Sequence, residues 1–279
     1  MKIPFVKMQG AGNDFIIIKR ENLPVDVNVS SFVTAACHRT FGIGADGLMI
    51  YSSSIIADAK MLYFNQDGSQ GEMCGNGIRC FARFVMQELS ATNDSPLTIE
   101  TIVGTLEVFV AEKKETSSLI RVNMGTPSGV VNNERINVEG KVYVYDHLVV
   151  GVPHVVIFVE DEGSRVVEST GPIIERDQRF PNGTNVNFVQ VINTKNIKVW
   201  TWERGAGHTL ACGTGITSAF AAARHHGYVD SKVVADAEGG ILTLEETQTG
   251  IIMTGPATDI CEGIYYYNES MQYSWKGVK

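Results

Sequence analysis

Two stretches of the chain repeat one local pattern: Asn65–Arg79 reads NQDGSQGEMCGNGIR and Glu203–Thr217 reads ERGAGHTLACGTGIT. In each, a polar residue closes an apolar, β-rich run, a loop follows, and a Cys-Gly-polar-Gly tetrad opens a helical stretch. Asn65 stands nine positions before Cys74, as Glu203 does before Cys212, and the two cysteines lie about half the chain apart, as expected of duplicated halves. Glycines at a helix entrance leave the first backbone N–H groups pointing outward, where the helix dipole adds to their attraction for an anion. Those groups belong to Gly75, Asn76 and Gly77 in one half and to Gly213, Thr214 and Gly215 in the other. A thiol placed there is a better acid than a free one, whose pKa is roughly 8.5. With one thiol on each face of the α-carbon of a small carboxylic acid, one thiolate removes the α-proton, the other thiol donates a proton, and the centre inverts. The amides that hold the carboxylate also stabilise the charge spreading into it, the logic of an oxyanion hole. This chemistry needs no pyridoxal phosphate, no other cofactor and no metal, and the two thiols titrate as a coupled pair.

Such turns need strands before them and enclosed helices behind them. Short β-like runs fill most of the chain: 15–19, 48–52, 61–65, 97–101, 104–110 and 119–124, then 141–150, 155–160, 184–192, 197–203, 241–246 and 250–255. Turn signals at Asn132-Asn133, Asn182-Gly183 and Gly239-Gly240 separate several of them. Helices are predicted over 29–39, 77–90 and 215–227, and the last two are apolar or small on nearly every face, which marks an enclosed helix. The expected fold is α+β: two pseudo-symmetric domains, each a mostly antiparallel, barrel-like sheet wrapped around a central apolar helix, with the active site in the cleft between them. Residues 1–122, completed by 264–279, form the half with Cys74, and 123–263 form the half with Cys212.

Composition narrows the partners. At 279 residues, 44% hydrophobic and 19% charged, the chain has the make-up of a globular protein. A net charge of −8 without basic clusters argues against nucleic acid and anionic membranes. The N-terminus has no apolar signal core, so a cytoplasmic location is expected. Five cysteines, an odd number, speak against a disulfide framework, and their spacing offers no zinc site. Gly42–Gly47 (GIGADG) fits a dinucleotide-binding pattern, but a helical stretch precedes it and a β-like run follows, the reverse of the required order. It reads as a tight loop near another site.

Several further motifs occur in one order: QGAGNDF (9–15), the GIGADG loop, Asn65 with Asp67-Gly68-Ser69, MCGNG (73–77) with Arg79-Cys80, Gly151 with Pro153-His154, Asn185, Glu203-Arg204-Gly205, ACGTG (211–215) and MTGPA (253–257). On these the chain resembles the diaminopimelate epimerases, cofactor-independent enzymes that interconvert LL- and meso-diaminopimelate. The resemblance implies catalytic thiols at Cys74 and Cys212, with His154 and Glu203 as supporting groups beside them, and a homodimer. It also implies that Asn13 lines the site, that Asn65, Asn185 and Arg204 hold the distal amino acid end, and that Gly75, Asn76, Glu203, Gly213 and Thr214 contact the substrate. Two positions depart from the family pattern: Val152 replaces an Asn before Pro153-His154, and His208 replaces a Glu after Gly207. They leave open another cofactor-independent racemase of the same fold. A carboxylate-binding module without catalysis is the third reading, disfavoured because binding alone requires neither thiol.

Overall fold

The computed structural model describes residues 1–90, 96–160 and 163–268. Two units emerge: Met1–Gly10, Asp14–Ile120 and the described residues from Ala257, and Ala11–Asn13 with Arg121–Pro256.

The first unit contains β1 (Lys2–Gly10), β2 (Asn13–Lys19), α1 (Val29–Cys37), β3 (Gly47–Ser52), β4 (Ala59–Asn65), α2 (Gly75–Leu89), β5 (Leu97–Thr101), β6 (Gly104–Lys113) and β7 (Ser117–Asn123). The second contains β8 (Ser128–Val138), β9 (Lys141–Val150), β10 (Val152–Phe158), α3 (Gly163–Glu175), β11 (Asn185–Asn193), β12 (Asn196–Glu203), β13 (Gly207–Thr209), α4 (Gly213–His225), β14 (Lys232–Ala237) and β15 (Gly240–Thr247). Strand β16 (Gly250–Tyr266) starts in the second unit and ends in the first. Apart from Ala11–Asn13, the unit boundaries fall inside β7 and β16, between Ile120 and Arg121 and between Pro256 and Ala257.

In the first unit the strand order is β1-β2-β3-β4-β5-β6-β7-β16, and β16 pairs back onto β1 from Lys2↔Tyr266 to Gln9↔Thr258, which closes a barrel. In the second the order is β16-β15-β14-β12-β11-β10-β9-β8, with β13 folded against β12. Both units contain the same sequence of moves. A strand, a helix and a parallel strand are followed by an antiparallel strand, a second helix and a second parallel strand, as β2-α1-β3-β4-α2-β5 and as β10-α3-β11-β12-α4-β14. A parallel pair needs a crossover, and a helix supplies it each time.

The second helix of each set is the enclosed one. Residues Gly75–Met86 of α2 are all buried, with the helix against β1, β5 and β6. Arg83 within it is held by Asp259 at 2.9 and 2.5 Å and by Ser118 at 2.7 Å, which satisfies a cation taken out of water. In α4 the small residues Ala219, Ala222 and Ala223 let the helix lie close on β9, β10, β11 and β12, and Phe220 fills the core with Val189, Val199 and Leu244. On the other face of that sheet Val167 and Ile174 of α3 pack with Phe188 and Trp200.

Candidate active site

Cys74 is the N-cap of α2. Its backbone is extended (φ −136, ψ 113) and its Sγ accepts the Gly77 N–H at 3.4 Å. The tetrad's second glycine sits in a close fit, because a Cβ at Gly77 would lie 3.3 Å from the Cys74 Cβ and 3.4 Å from the Met49 sulfur. Arg79, wholly buried, folds back under the turn and donates to the Gly75 carbonyl at 3.0 Å and to Asn76 Oδ1 at 2.9 Å. Burial pulls this guanidinium down to about 10, against the attraction of Cys80 and Cys74, and it stays a cation at neutral pH. The neighbouring thiol of Cys80 is raised to about 12 by burial, so it stays protonated. The preceding loop is set by its own side chains: Asp67 accepts the Ser69 hydroxyl at 2.6 Å and N–H at 2.9 Å, and Asn65 Nδ2 donates to Ser69 Oγ at 3.0 Å.

Cys212 caps α4 in the same way (φ −118, ψ 112), with its Sγ accepting the Gly215 N–H at 3.4 Å and standing 3.3 Å from the Thr214 hydroxyl. Thr217 and Ser218 turn their hydroxyls back onto the Gly213 and Thr214 carbonyls. Beneath the turn lies Asn187 of β11, whose Oδ1 would be 2.2 Å from a Cβ at Gly215. Asn187 Nδ2 reaches His154 Nδ1 at 3.1 Å. His154, on β10 opposite Asn185, is completely buried, and burial pushes it down to about 3, so it is neutral.

Glu203, Arg204 and Asn185 form one hydrogen-bonded corner. Asn185 Oδ1 accepts the Arg204 N–H at 3.0 Å while its Nδ2 donates to the Pro153 carbonyl at 3.0 Å. The Thr209 hydroxyl donates to Glu203 Oε1 at 2.6 Å across the β12–β13 turn. The exposed Arg204 side chain is steadied by the Asn182 carbonyl at 2.9 Å. Glu175, the last residue of α3, braces the corner by accepting Trp202 Nε1 at 2.7 Å and the Gly205 N–H at 3.1 Å. The structure therefore places His154, Asn185, Glu203, Arg204, Cys212, Gly213, Thr214 and also Asn13 in the second unit, and Asn65, Cys74, Gly75 and Asn76 in the first.

The sequence of the whole chain now decides the family. The description Diaminopimelate epimerase matches residues 5–130 and 147–260. Among curated relatives, a diaminopimelate epimerase of Alkaliphilus metalliredigens is 48% identical over 278 residues, covering 95% of this chain and 98% of its own. Another, of Moorella thermoacetica, is 38% identical over 273 residues, covering 93% of this chain and 98% of its own. The chain belongs to the diaminopimelate epimerase family. Solved structures extend the fold further: a hydroxyproline epimerase of Agrobacterium vitis with bound trans-4-hydroxy-L-proline has a TM-score of 0.72 at 14% identity, covering 97% of this chain and 94% of its own. A PhzF-family phenazine biosynthesis protein of Bacillus anthracis gives 0.73 at 14%, covering 96% and 100%. At such identities the likeness is one of fold.

Within this diaminopimelate epimerase family member, the two departures from pattern have defined settings. Val152 begins β10 directly after Gly151 (φ 70), pairs with Val150 and offers no side-chain hydrogen bond. His208 stands between Glu238 Oε2 at 2.6 Å and Glu168 Oε1 at 3.3 Å, a link from β13 to α3 and to the β14–β15 turn. The GIGADG loop closes α1: Gly42 donates to the His38 carbonyl at 2.8 Å, and Gly44 (φ 80) to that of Ala36 at 3.0 Å. Its Asp46 shares Arg39 with Asp14, the residue after Asn13, and its carbonyl accepts the Gln66 N–H at 3.2 Å. Sequence reading missed Asn187, Thr201, Thr209 and Glu175. For Asn187 a signal existed: Asn185 and Asn187 alternate along an apolar strand and so share one face.

Proposed function

We propose that the protein interconverts LL- and meso-diaminopimelate by proton exchange between two thiols, as an enzyme of lysine and peptidoglycan precursor synthesis. The observation that carries this reading is the pair of identically capped helices, one cysteine on each, within a chain of this family. One thiolate takes the α-proton. The electron pair spreads into the α-carboxylate, whose charge meets the amides of Gly75 and Asn76 or of Gly213 and Thr214, and the opposite thiol supplies a proton to the other face. One turnover leaves the two sulfurs with exchanged protonation states, and the reverse reaction or solvent exchange resets them. Asn65, Asn185 and Arg204 take the distal amino acid end, with Arg204 pairing its carboxylate through two parallel N–H bonds. Asn13 lines the site, and Glu203 supports the thiols. No cofactor or metal has a step in this scheme. The acting form is a homodimer in the cytoplasm.

Incubation with LL-diaminopimelate in D2O tests the reading, with loss of the α-proton signal and appearance of the meso isomer as the expected result. Turnover of a one-ended amino acid, such as lysine or alanine, in preference to LL-diaminopimelate would move the assignment to another racemase of this fold. Arg204→Lys is expected to lower kcat/KM about 10-fold and leave the melting temperature unchanged, because an ammonium does not reproduce the two-pronged pairing.

A further inference from the structure

The buried amide of Asn187 dictates which nitrogen of His154 holds the proton. The Val155 carbonyl, 3.0 Å from the amide, can only accept, so the atom facing it is Nδ2 and the orientation of the Asn187 side chain is fixed. Oδ1 then points the other way and takes the Thr201 hydroxyl at 3.1 Å. The second hydrogen of Nδ2 faces His154 Nδ1 at 3.1 Å, and two N–H groups do not face one another. Nδ1 is therefore an acceptor without a proton, and in the neutral ring the proton is on Nε2. That Nε2 is buried and has no partner among the described residues. A donor in this state is normally satisfied, so an unpaired one points to an acceptor brought by a ligand.

We infer that Asn187 is a positioning residue for the reaction: it holds His154 as the neutral Nε2–H tautomer, which presents a fixed hydrogen-bond donor to an acceptor of the bound amino acid and exchanges no proton. The same amide lies against Gly215, whose N–H holds the Cys212 sulfur, so one side chain sets both the imidazole and the floor of the thiol turn. Burial opposes an imidazolium here, and the charged or titratable neighbours that act on the ring, His147 of β9 and Arg204 after β12, oppose it further. Proton traffic is thereby confined to the cysteines.

The test is a 15N long-range correlation spectrum of histidine-labelled enzyme, with His154 assigned by its loss in His154→Gln. The expected spectrum shows Nδ1 unprotonated and Nε2 protonated, without change from about pH 5 to about pH 9, a range across which an ordinary histidine titrates. A proton on Nδ1, or titration within that range, overturns the inference. In Asn187→Asp the carboxylate accepts where the amide donated, which draws the proton to Nδ1. The expected result is a kcat/KM at least ~10-fold lower, within the range of a lost positioned group, with a new dependence on pH near ~6.5. A folded Asn187→Asp enzyme that keeps the wild-type pH profile and the Nε2 proton refutes the inference, and if this variant does not fold the wild-type spectrum alone decides. The kinetic arm rests on the proposed epimerisation, whereas the spectrum does not. An enzyme with the expected spectrum but inactive on LL-diaminopimelate would sink the function and leave the tautomer standing.

Discussion

Cys74 and Cys212 cap their helices with nearly the same backbone angles, and each sulfur accepts an N–H at 3.4 Å from the glycine three residues on. What lies beneath them differs. Under Cys74 is the guanidinium of Arg79, bonded to the Gly75 carbonyl and the Asn76 amide, so a positive charge supports that turn from inside. Under Cys212 are the neutral amide of Asn187 and the hydroxyls of Thr214, Thr217 and Ser218. Exposure differs as well, with Cys74 half-buried and Cys212 buried. The cap is the same in both units and the floor beneath it is not, so the two thiols have unequal surroundings.

The largest effect tests whether the inequality matters to turnover. Cys74→Ala and Cys212→Ala should each lower the inversion rate by at least ~10², the range for a positioned acid or base, because inversion needs a group on both faces. Steady-state rates with LL-diaminopimelate check this, and either variant at wild-type speed would break the equivalence of the two turns. The floors are compared by adding one methyl to each. Gly215→Ala forces a carbon to within 2.2 Å of Asn187 Oδ1 and should cost about 1 to 3 kcal/mol of stability by overpacking. Gly77→Ala meets nothing closer than 3.3 Å and gains about 0.8 to 1.0 kcal/mol of helix propensity, so the net change should lie near zero. Urea unfolding midpoints of the pair are the measurement, and equal losses would mean the floors are alike.

A smaller effect reports the buried charge. Arg79→Met should slow alkylation of Cys74 by iodoacetamide several-fold and leave the rate at Cys212 unchanged, since a guanidinium close by attracts a thiolate. Peptide mass spectrometry separates the two rates, and equal slowing would assign the effect to general loosening. The smallest effect concerns Asp14, which follows Asn13. Burial alone would raise this carboxyl, but hydrogen bonds from Arg39 and Lys7 and their charges hold it at about 2. A carboxyl with a lowered folded pKa stabilises fully above its unfolded value of about 3.9, and that contribution disappears as pH falls toward 2. The stability gap between wild type and Asp14→Asn should accordingly be full at neutral pH and close between about pH 4 and about pH 2, followed by denaturant titration.

Much of this arrangement was legible in the sequence, for identifiable reasons. Alternation located β5, β9 and most other strands, and the tetrads located the starts of α2 and α4 because glycine fits where the cap closes tightly on itself. Helix α3 was missed. Its Val166, Val167, Ile173 and Ile174 favour strands and its Gly171-Pro172 reads as a turn, but Gly171 is what lets the helix lie against Trp202, whose Cβ would be 2.6 Å from any side chain there. Strand β8 was hidden by Asn132-Asn133, which is not a turn but a bulge: Asn133 takes φ 58 and gives its N–H to the buried Asp146 carboxylate at 2.9 Å. Strand β1 and strand β14 were passed over for want of a continuous apolar run. In the candidate site, residue types that carry charge or sulfur announced themselves, whereas Thr201 has no signature of its own and Asn187 has only its alternation with Asn185.

Strand β16 has a consequence for how the chain is made. Its second part, from Ala257, closes the first unit against β1, yet among the described strands it comes latest in the chain. The unit that is begun first is thus finished last, the inverse of the usual order of domain folding during synthesis. Until then β1 and β7 present open edges, and edges left open invite pairing with other chains. Residues Arg121–Pro256, with Ala11–Asn13, make the second unit, so most of that unit is contiguous in the chain and precedes the strand that closes the first.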